Sequence, residues 1–168
     1  RPSSIVVNTS PSDEKLSKVL EDAELTNWKV PLCSGADKER INIELVFNFL
    51  PPKGVKGEWE HGFDTYQYRI RYRKSPYYLR LDGGPNLGGR DADDDLLAMS
   101  TMFEERWVVD AGGIIGVDAK GQLPKGHVWR SVGLMGVAIA RYNDVPPEVG
   151  TFFDKIIDSL CVAVPPDK

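Results

Sequence analysis

The sequence contains only two histidines and two cysteines, and these low counts limit the chemistry that the chain supports. A serine or cysteine triad needs a histidine beside its nucleophile, so two histidines leave few ways to assemble one. No Gly-x-Ser-x-Gly elbow occurs, and neither cysteine lies in a local catalytic signature. These absences favour a protein that binds over a protein that catalyses.

An excess of basic charge and a long apolar run are also absent. The net charge of -4 and the sequence pI near 5.2 argue against broad binding to nucleic acids or anionic membranes, because both rely on a positive field. The longest apolar segment, Val132 to Ala140, is interrupted by glycines and is far shorter than the roughly 20 residues of a membrane-spanning helix. We therefore expect no nucleic-acid partner and no transmembrane segment.

The cellular compartment is left open by the sequence, with export favoured over the cytoplasm. The chain begins at Arg1, which indicates that a leader or fusion segment has been removed. Cys33 and Cys161 allow two interpretations. If they are bonded, the protein is exported, for example to the periplasm. If they are free, each is a small buried apolar side chain in a reducing compartment.

Alternating apolar and polar residues predict a sheet. The pattern runs over 40–49, over 66–72 and over 77–81, and a long strand with glycines is predicted over 127–142. Consecutive strands with short connections are typical of an antiparallel meander. With 168 residues the chain is long enough for one globular domain, 1–168.

Helical spacing of apolar residues occurs in three places. Ser10 and Pro11 provide a helix start before an apolar stripe, which predicts a helix over 11–24. A short helix is predicted over 96–106, and Pro146-Pro147 introduces an amphipathic helix over 149–160. We therefore predict an α+β fold: a predominantly antiparallel sheet of about six to eight strands, packed by an N-terminal and a C-terminal helix.

The end of the chain resembles the end of domains with the Mog1/PsbP-like fold. The resemblance consists of a glycine-punctuated strand, then Pro146-Pro147, then the helical run Phe153-Asp154-Lys155-Ile156-Ile157-Asp158-Ser159-Leu160 and a short strand. It covers the last quarter of the chain. It implies an antiparallel sheet packed by helices and a non-catalytic accessory or binding protein, often exported. It implies no functional residues.

Acidic residues after the glycine-rich loop form a candidate metal site. Asp91, Asp93 and Asp95 match the first three ligand positions of an EF-hand calcium loop. The match is incomplete, because Leu96 stands where the loop needs glycine and the closing glutamate is missing. A different calcium site would use Asp82 and Asp91 with backbone carbonyls. The alternative is a helix N-terminus rich in acids.

His61 and His127 support an enzymatic alternative. His61 lies close in sequence to Glu58, Glu60 and Asp64, and a histidine among carboxylates can bind zinc or act as a general base. The same residues are compatible with a solvated hairpin loop. A metal-dependent hydrolase that uses the Asp-rich loop with His61 or His127 is therefore the rival to a binding protein.

Arginines alternate along one predicted strand. Arg69, Arg71 and Arg73 share a face, and Arg80 follows on the next strand. Such a face can bind a carboxylate or a phosphate through bidentate hydrogen bonds, or it can pair with acids on neighbouring strands. We therefore predict a non-catalytic interaction or accessory domain with a protein partner or an acidic ligand at these arginines. A small-ligand carrier with a pocket between sheet and helix is a further alternative, and the oligomeric state is left open.

Overall fold

The computed structural model describes residues 6–7, 27–35, 39–62, 64–85 and 94–163. Within these ranges 49% of the residues are in strands and 13% are in helices. The fold is mostly β, so the prediction of an α+β fold packed by an N-terminal and a C-terminal helix is wrong. The C-terminal helix is present, whereas the predicted helix over 11–24 lies outside the described residues. The prediction of a sheet rich in antiparallel pairs is confirmed.

The described part of the chain contains twelve strands and two helices. The strands are β1 (Val6–Val7), β2 (Trp28–Lys29), β3 (Ile41–Ile43), β4 (Phe47–Phe49), β5 (Glu58–His61), β6 (Tyr66–Arg71), β7 (Tyr78–Gly83), β8 (Met102–Asp110), β9 (Gly113–Gln122), β10 (Val128–Leu134), β11 (Ala138–Val145) and β12 (Cys161–Val162). The helices are α1 (Asp94–Met99) and α2 (Pro147–Ile157).

Nine of the strands form one large sheet. Eight of them follow the order β1-β8-β9-β10-β11-β7-β6-β5, and β2 pairs with β8 as well. All neighbours are antiparallel except β2 and β8. The remaining strands form a small antiparallel sheet in the order β12-β4-β3.

The strand predicted over 40–49 is a hairpin of β3 and β4. Ile43 pairs with Phe47, so three residues intervene and odd-numbered side chains of both arms face the same side. The alternating pattern therefore continues through the turn, and the sequence shows no break. Glu44 and Leu45 have φ values of 54° and 64°, a left-handed conformation that usually requires glycine or asparagine. The usual turn residues are absent, so the turn was missed.

The strand predicted over 127–142 is likewise a hairpin, formed by β10 and β11. Leu134 pairs with Ala138, and three residues again separate the arms without changing the alternation. Met135 and Gly136 have φ values of 53° and 71°. Gly136 therefore lies in a turn between two strands and not inside one long strand.

Two further predictions fail because strand pairing outweighs local pattern. The helix predicted over 96–106 ends at Met99, and Phe103 instead pairs with Gly121 in the β8–β9 ladder. The segment 58–61, predicted as a loop, is the exposed edge strand β5. The predicted strands over 66–72 and 77–81 are confirmed as β6 and β7.

The main core lies between one face of the large sheet, α2 and the small sheet. Helix α2 buries Val149, Phe153, Ile156 and Ile157, and each such side chain stabilises the fold by roughly 2 kcal/mol before entropy is subtracted. We call this the helix-covered face. It carries the even-numbered side chains of β10 and β11, such as Ala140, and the odd-numbered side chains of β7, such as Leu81.

A smaller core lies on the opposite face, where α1 covers β9 and β10. Trp129 is fully buried there, packed with Leu96 and Phe103. The Trp129 indole donates a hydrogen bond of 2.7 Å to the Ser100 hydroxyl, which donates to the Leu96 carbonyl at 2.6 Å. The indole N–H is therefore satisfied despite complete burial.

Cys33 and Cys161 are joined by a disulfide, with a Cα–Cα distance of 4.9 Å. The bond links the segment after β2 to β12 and so fastens the small sheet to the edge region of the large sheet. Across the described ranges, no helix has the length and apolar character needed to cross a bilayer.

Candidate anion-binding face

Three arginines form a row across adjacent strands, on the sheet face opposite α2. Arg69 in β6 pairs in register with Arg80 in β7, and Arg80 pairs with Arg141 in β11. Adjacent strands lie about 4.8 Å apart, so the row spans roughly 10 Å. Like charges placed directly opposite each other destabilise a sheet. The arrangement therefore has an energetic cost that packing alone does not explain.

The Nε atoms of Arg69, Arg80 and Arg141 are all buried without a hydrogen-bond partner. A buried donor left unsatisfied costs about 1–3 kcal/mol, and more on a charged group. Arg69 forms an ion pair with Glu60 through Nη2. Arg80 Nη2 lies 3.6 Å from Asp82 Oδ2, too far for a hydrogen bond.

Arg141 has no ion-pair partner among the residues described, so the row is incompletely neutralised. Burial lowers the pKa of the Arg80 guanidinium. Asp82 opposes this change, whereas the neighbouring cations Arg141 and Arg69 lower the pKa further. An anion bound at the row would relieve the repulsion and would supply acceptors for the remaining guanidinium donors.

Arg71 lies beside the row, and Arg73 lies apart from it. The Tyr78 ring is 5.4 Å from the Cζ of Arg69 and 5.4 Å from the Cζ of Arg71, so it stacks with both. Arg73 follows β6 with a φ of 50° and stacks on Tyr72 at 5.2 Å. Two of the four predicted arginines, Arg69 and Arg80, thus form the row, and Arg71 flanks it.

Sequence reasoning missed Arg141. It lies in the second arm of a hairpin that was interpreted as one strand, and β11 adjoins β7 although nearly sixty residues separate them in sequence. Alternation along β11 places the Arg141 side chain on the other face of the sheet from Ala140 and Tyr142, so its face could be predicted from the sequence. The pairing of β11 with β7 could not be predicted in this way.

Of the four predicted calcium ligands, only Asp82 and Asp95 lie within the described residues, so the predicted site stays a prediction. Asp82 accepts a 2.8 Å hydrogen bond from Gln67 through Oδ1 and faces Arg80 through Oδ2, so both oxygens belong to the arginine face. Asp95 is exposed on α1, while Asp91 and Asp93 lie outside the described residues. The described residues include no group of three or more histidine, cysteine or acidic side chains suited to a metal ion.

The two histidines lie far apart in the fold. His61 is exposed on the edge strand β5. His127 precedes β10, which three strands separate from β5, and its Nδ1 lies 2.9 Å from Asp144 Oδ1. Glu60, predicted as a neighbour of His61 in a metal or acid–base set, instead pairs with Arg69. The structure therefore does not join His61 and His127 in one site.

The helix-covered face holds a buried charge network that the sequence did not reveal. Arg130 is 3% exposed and donates from Nε and Nη2 to the two oxygens of Asp118, at 2.9 and 3.0 Å. It also contacts Asp154 on α2 at 3.2 Å and Asp158, the C-cap residue of α2, at 2.8 Å. Arg106 donates to Asp118 at 2.8 Å. The network joins β8, β9, β10 and α2, so no single segment contains its pattern.

Aromatic groups enclose this network. The Trp28 ring centroid lies 5.0 Å from the Cζ of Arg106 and 5.4 Å from that of Arg130. The Tyr142 hydroxyl donates to Asp154 Oδ1 at 2.9 Å, and burial, followed by the charge of Asp154, raises the pKa of Tyr142 above its ordinary value. Burial acts to lower the pKa of Arg130, but the carboxylates of Asp118, Asp158 and Asp154 more than compensate and raise it.

Comparison with known proteins assigns no family to this arrangement. No protein-family model matches the chain, and no match was found among curated proteins or among solved structures. The resemblance of the closing segment to Mog1/PsbP-like domains therefore stays a prediction.

Proposed function

We propose that the protein is a non-catalytic binding domain that captures an anionic ligand or an acidic protein segment on its arginine row. One observation carries the proposal: Arg69, Arg80 and Arg141 stand in register on adjacent strands, and each keeps a buried Nε without a partner. Aligned like charges and buried donors without partners both destabilise a folded sheet. A bound oxyanion would neutralise the charges and accept hydrogen bonds from the guanidinium groups.

The surrounding charges restrict the ligand. Glu60 and Asp82 offset part of the positive charge of the row, and the chain as a whole carries -4. A long polyanion such as nucleic acid would be repelled beyond the row, because it depends on an extended positive field. A compact acidic group, or a short run of carboxylates on a partner, fits a patch that is roughly 10 Å long.

Substitution of the row tests the proposal. Calorimetric titration with a hexaglutamate peptide should detect binding to the native chain, with affinity that falls as salt is added. Arg80→Gln and Arg141→Gln should each weaken binding by roughly tenfold to a hundredfold, because each removes a charge-assisted hydrogen bond of about 1.5–3 kcal/mol.

Arg73→Gln is the matched control. It removes the same charge next to β6 but outside the row, so peptide affinity should change less than threefold. Equal losses in the Arg73 and Arg80 variants would mean that only overall charge matters. Absence of any binding to the native chain would refute the anion site. Circular dichroism should show that all three variants keep the native fold.

A location outside the cytoplasm, reached by export, is the one that fits this proposal. The disulfide between Cys33 and Cys161 is the supporting observation, because such bonds persist mainly in oxidising compartments. An accessory role in an extracytoplasmic assembly follows as the favoured setting. Fractionation of the native source, with free thiols blocked before lysis, tests it: recovery of the chain in the reduced form would contradict export.

A further inference from the structure

A cavity of about 380 Å³ lies on the helix-covered face, between α2 and the β8–β9 hairpin. Its size falls in the range of small-molecule sites, roughly 300–1,000 Å³. Met102, Val128 and Pro147 contribute apolar walls, and Tyr142 and Asp154 lie at its polar end. Because Arg141 and Tyr142 are consecutive in β11, their side chains point to opposite faces of the sheet. The cavity is therefore separate from the arginine row.

The polar end of the cavity carries surplus negative charge. In the buried network two guanidinium groups, Arg106 and Arg130, face three carboxylates, which leaves one negative charge uncompensated. The carboxylates belong to Asp118, Asp154 and Asp158.

The other charged residues that line the cavity do not change this balance. Lys120 and Glu104 form an ion pair of 3.0 Å with each other. The one negative charge left over is therefore shared by Asp154 on α2 and Asp158 at its C-cap, and Asp154 is the one that lines the cavity.

Asp154 retains an acceptor for a ligand. The Tyr142 hydroxyl at 2.9 Å and Arg130 Nη1 at 3.2 Å both donate to its Oδ1. Among the described residues, no donor reaches Oδ2. A carboxylate has about four acceptor positions, so a further donor can bind without displacing either partner. The two existing bonds hold the carboxylate in place, which reduces the entropy lost when a ligand binds.

We propose that this cavity binds a small organic cation, an amine with an apolar body, whose ammonium group bonds Asp154. The ammonium balances the surplus negative charge, and the body fills the space between Met102, Val128 and Pro147. The proposal does not depend on the arginine row, because the two surfaces share no side chain.

A pair of probes of nearly equal shape tests the proposal. Binding of 2-phenylethylamine and of the uncharged 2-phenylethanol is measured by calorimetry on the native chain at neutral pH. The amine should bind at least tenfold more tightly than the alcohol. Equal affinities, or no binding of either probe, would overturn the proposal.

Variants locate the site. Asp154→Asn should bring the affinity ratio of amine to alcohol close to one. Thr151→Trp, at an exposed helix position that lines the cavity, should fill the space and abolish binding of both probes while the fold is kept. Unchanged amine binding in the Thr151→Trp variant would place the probe elsewhere and refute the proposal, even if Asp154→Asn failed to fold.

Arg80→Gln is the control from the opposite face. It should leave amine binding unchanged, whereas loss of amine binding there would contradict the separation of the two surfaces. Conversely, Thr151→Trp should not alter hexaglutamate binding. The two proposals therefore fail independently of each other.

Discussion

Arg130→Met should destabilise the protein by about 3 kcal/mol. Arg130 and Asp118 are each 3% exposed and share two hydrogen bonds, and removal of one partner from a buried ion pair typically costs about 3–5 kcal/mol. The lower end applies here, because Asp118 keeps its 2.8 Å bond from Arg106. Methionine fills much of the space of the arginine stem, so the loss of stability arises mainly from removal of the guanidinium charge and its hydrogen bonds.

Arg106→Met is the matched control for this prediction. It removes a guanidinium from the same carboxylate, but the Arg106 side chain is 37% exposed and donates one hydrogen bond to it. Solvent screening reduces the worth of such a pair to about 1 kcal/mol. The two variants should therefore differ by about 2 kcal/mol.

Urea denaturation under oxidising conditions, followed by circular dichroism, measures both variants against the native chain. The midpoint should fall while the slope with urea is unchanged, because the surface exposed on unfolding stays the same. Equal losses for Arg130→Met and Arg106→Met would refute the view that burial makes the Arg130 pair the stronger one.

Three further perturbations test other parts of the fold. Replacing Cys33 and Cys161 by serine should cost about 5 kcal/mol in the chain-entropy model, because the bond spans 128 residues, and urea denaturation measures the loss. The pKa of Tyr142 is raised in the folded protein, so above about pH 10 the unfolded chain loses a phenol proton that the folded protein keeps. Its stabilising effect is complete below pH 10 and declines as the pH rises above that value; the decline should be smaller in Tyr142→Phe, as measured by denaturation from pH 9 to 11. Gly116→Ala would place Cβ 2.0 Å from a backbone oxygen and should cost about 1–3 kcal/mol, whereas Gly35→Ala, with nothing within 4 Å, should change the melting temperature little.

Local patterns predicted the elements whose contacts repeat along one segment. The apolar stripe behind Pro147 predicted α2, because the helical period needs no knowledge of the partner surface. Alternation likewise placed Arg69 and Arg80 on polar faces of their strands. The N-terminal helix stays a prediction, and the α+β class was wrong because stretches with apparent helical or single-strand pattern contain paired strands.

Pairing between distant strands could not be predicted in the same way. Arg141 joins the row only because β11 lies beside β7, and Arg130 meets Asp118 only because β9 and β10 pair in one register. A turn with three intervening residues keeps even and odd positions on their faces, so the two hairpins left no mark in the alternation. Both candidate surfaces therefore depend on register, which a single sequence specifies only weakly in the absence of turn signals.

The turn between β10 and β11 connects the two proposed sites. Gly136, with a φ of 71°, lies in this turn, which fixes the register in which Arg141 pairs with Ser131 and Tyr142 with Arg130. A slip of one residue in β11 would move Arg141 to the helix-covered face and Tyr142 to the arginine face, because side chains alternate along a strand. One turn thus determines both the row of cations on one face and the hydroxyl beside Asp154 on the other. Such a slip would remove a cation from the arginine row and the Tyr142 hydroxyl from Asp154. Both proposed sites would therefore be disabled together.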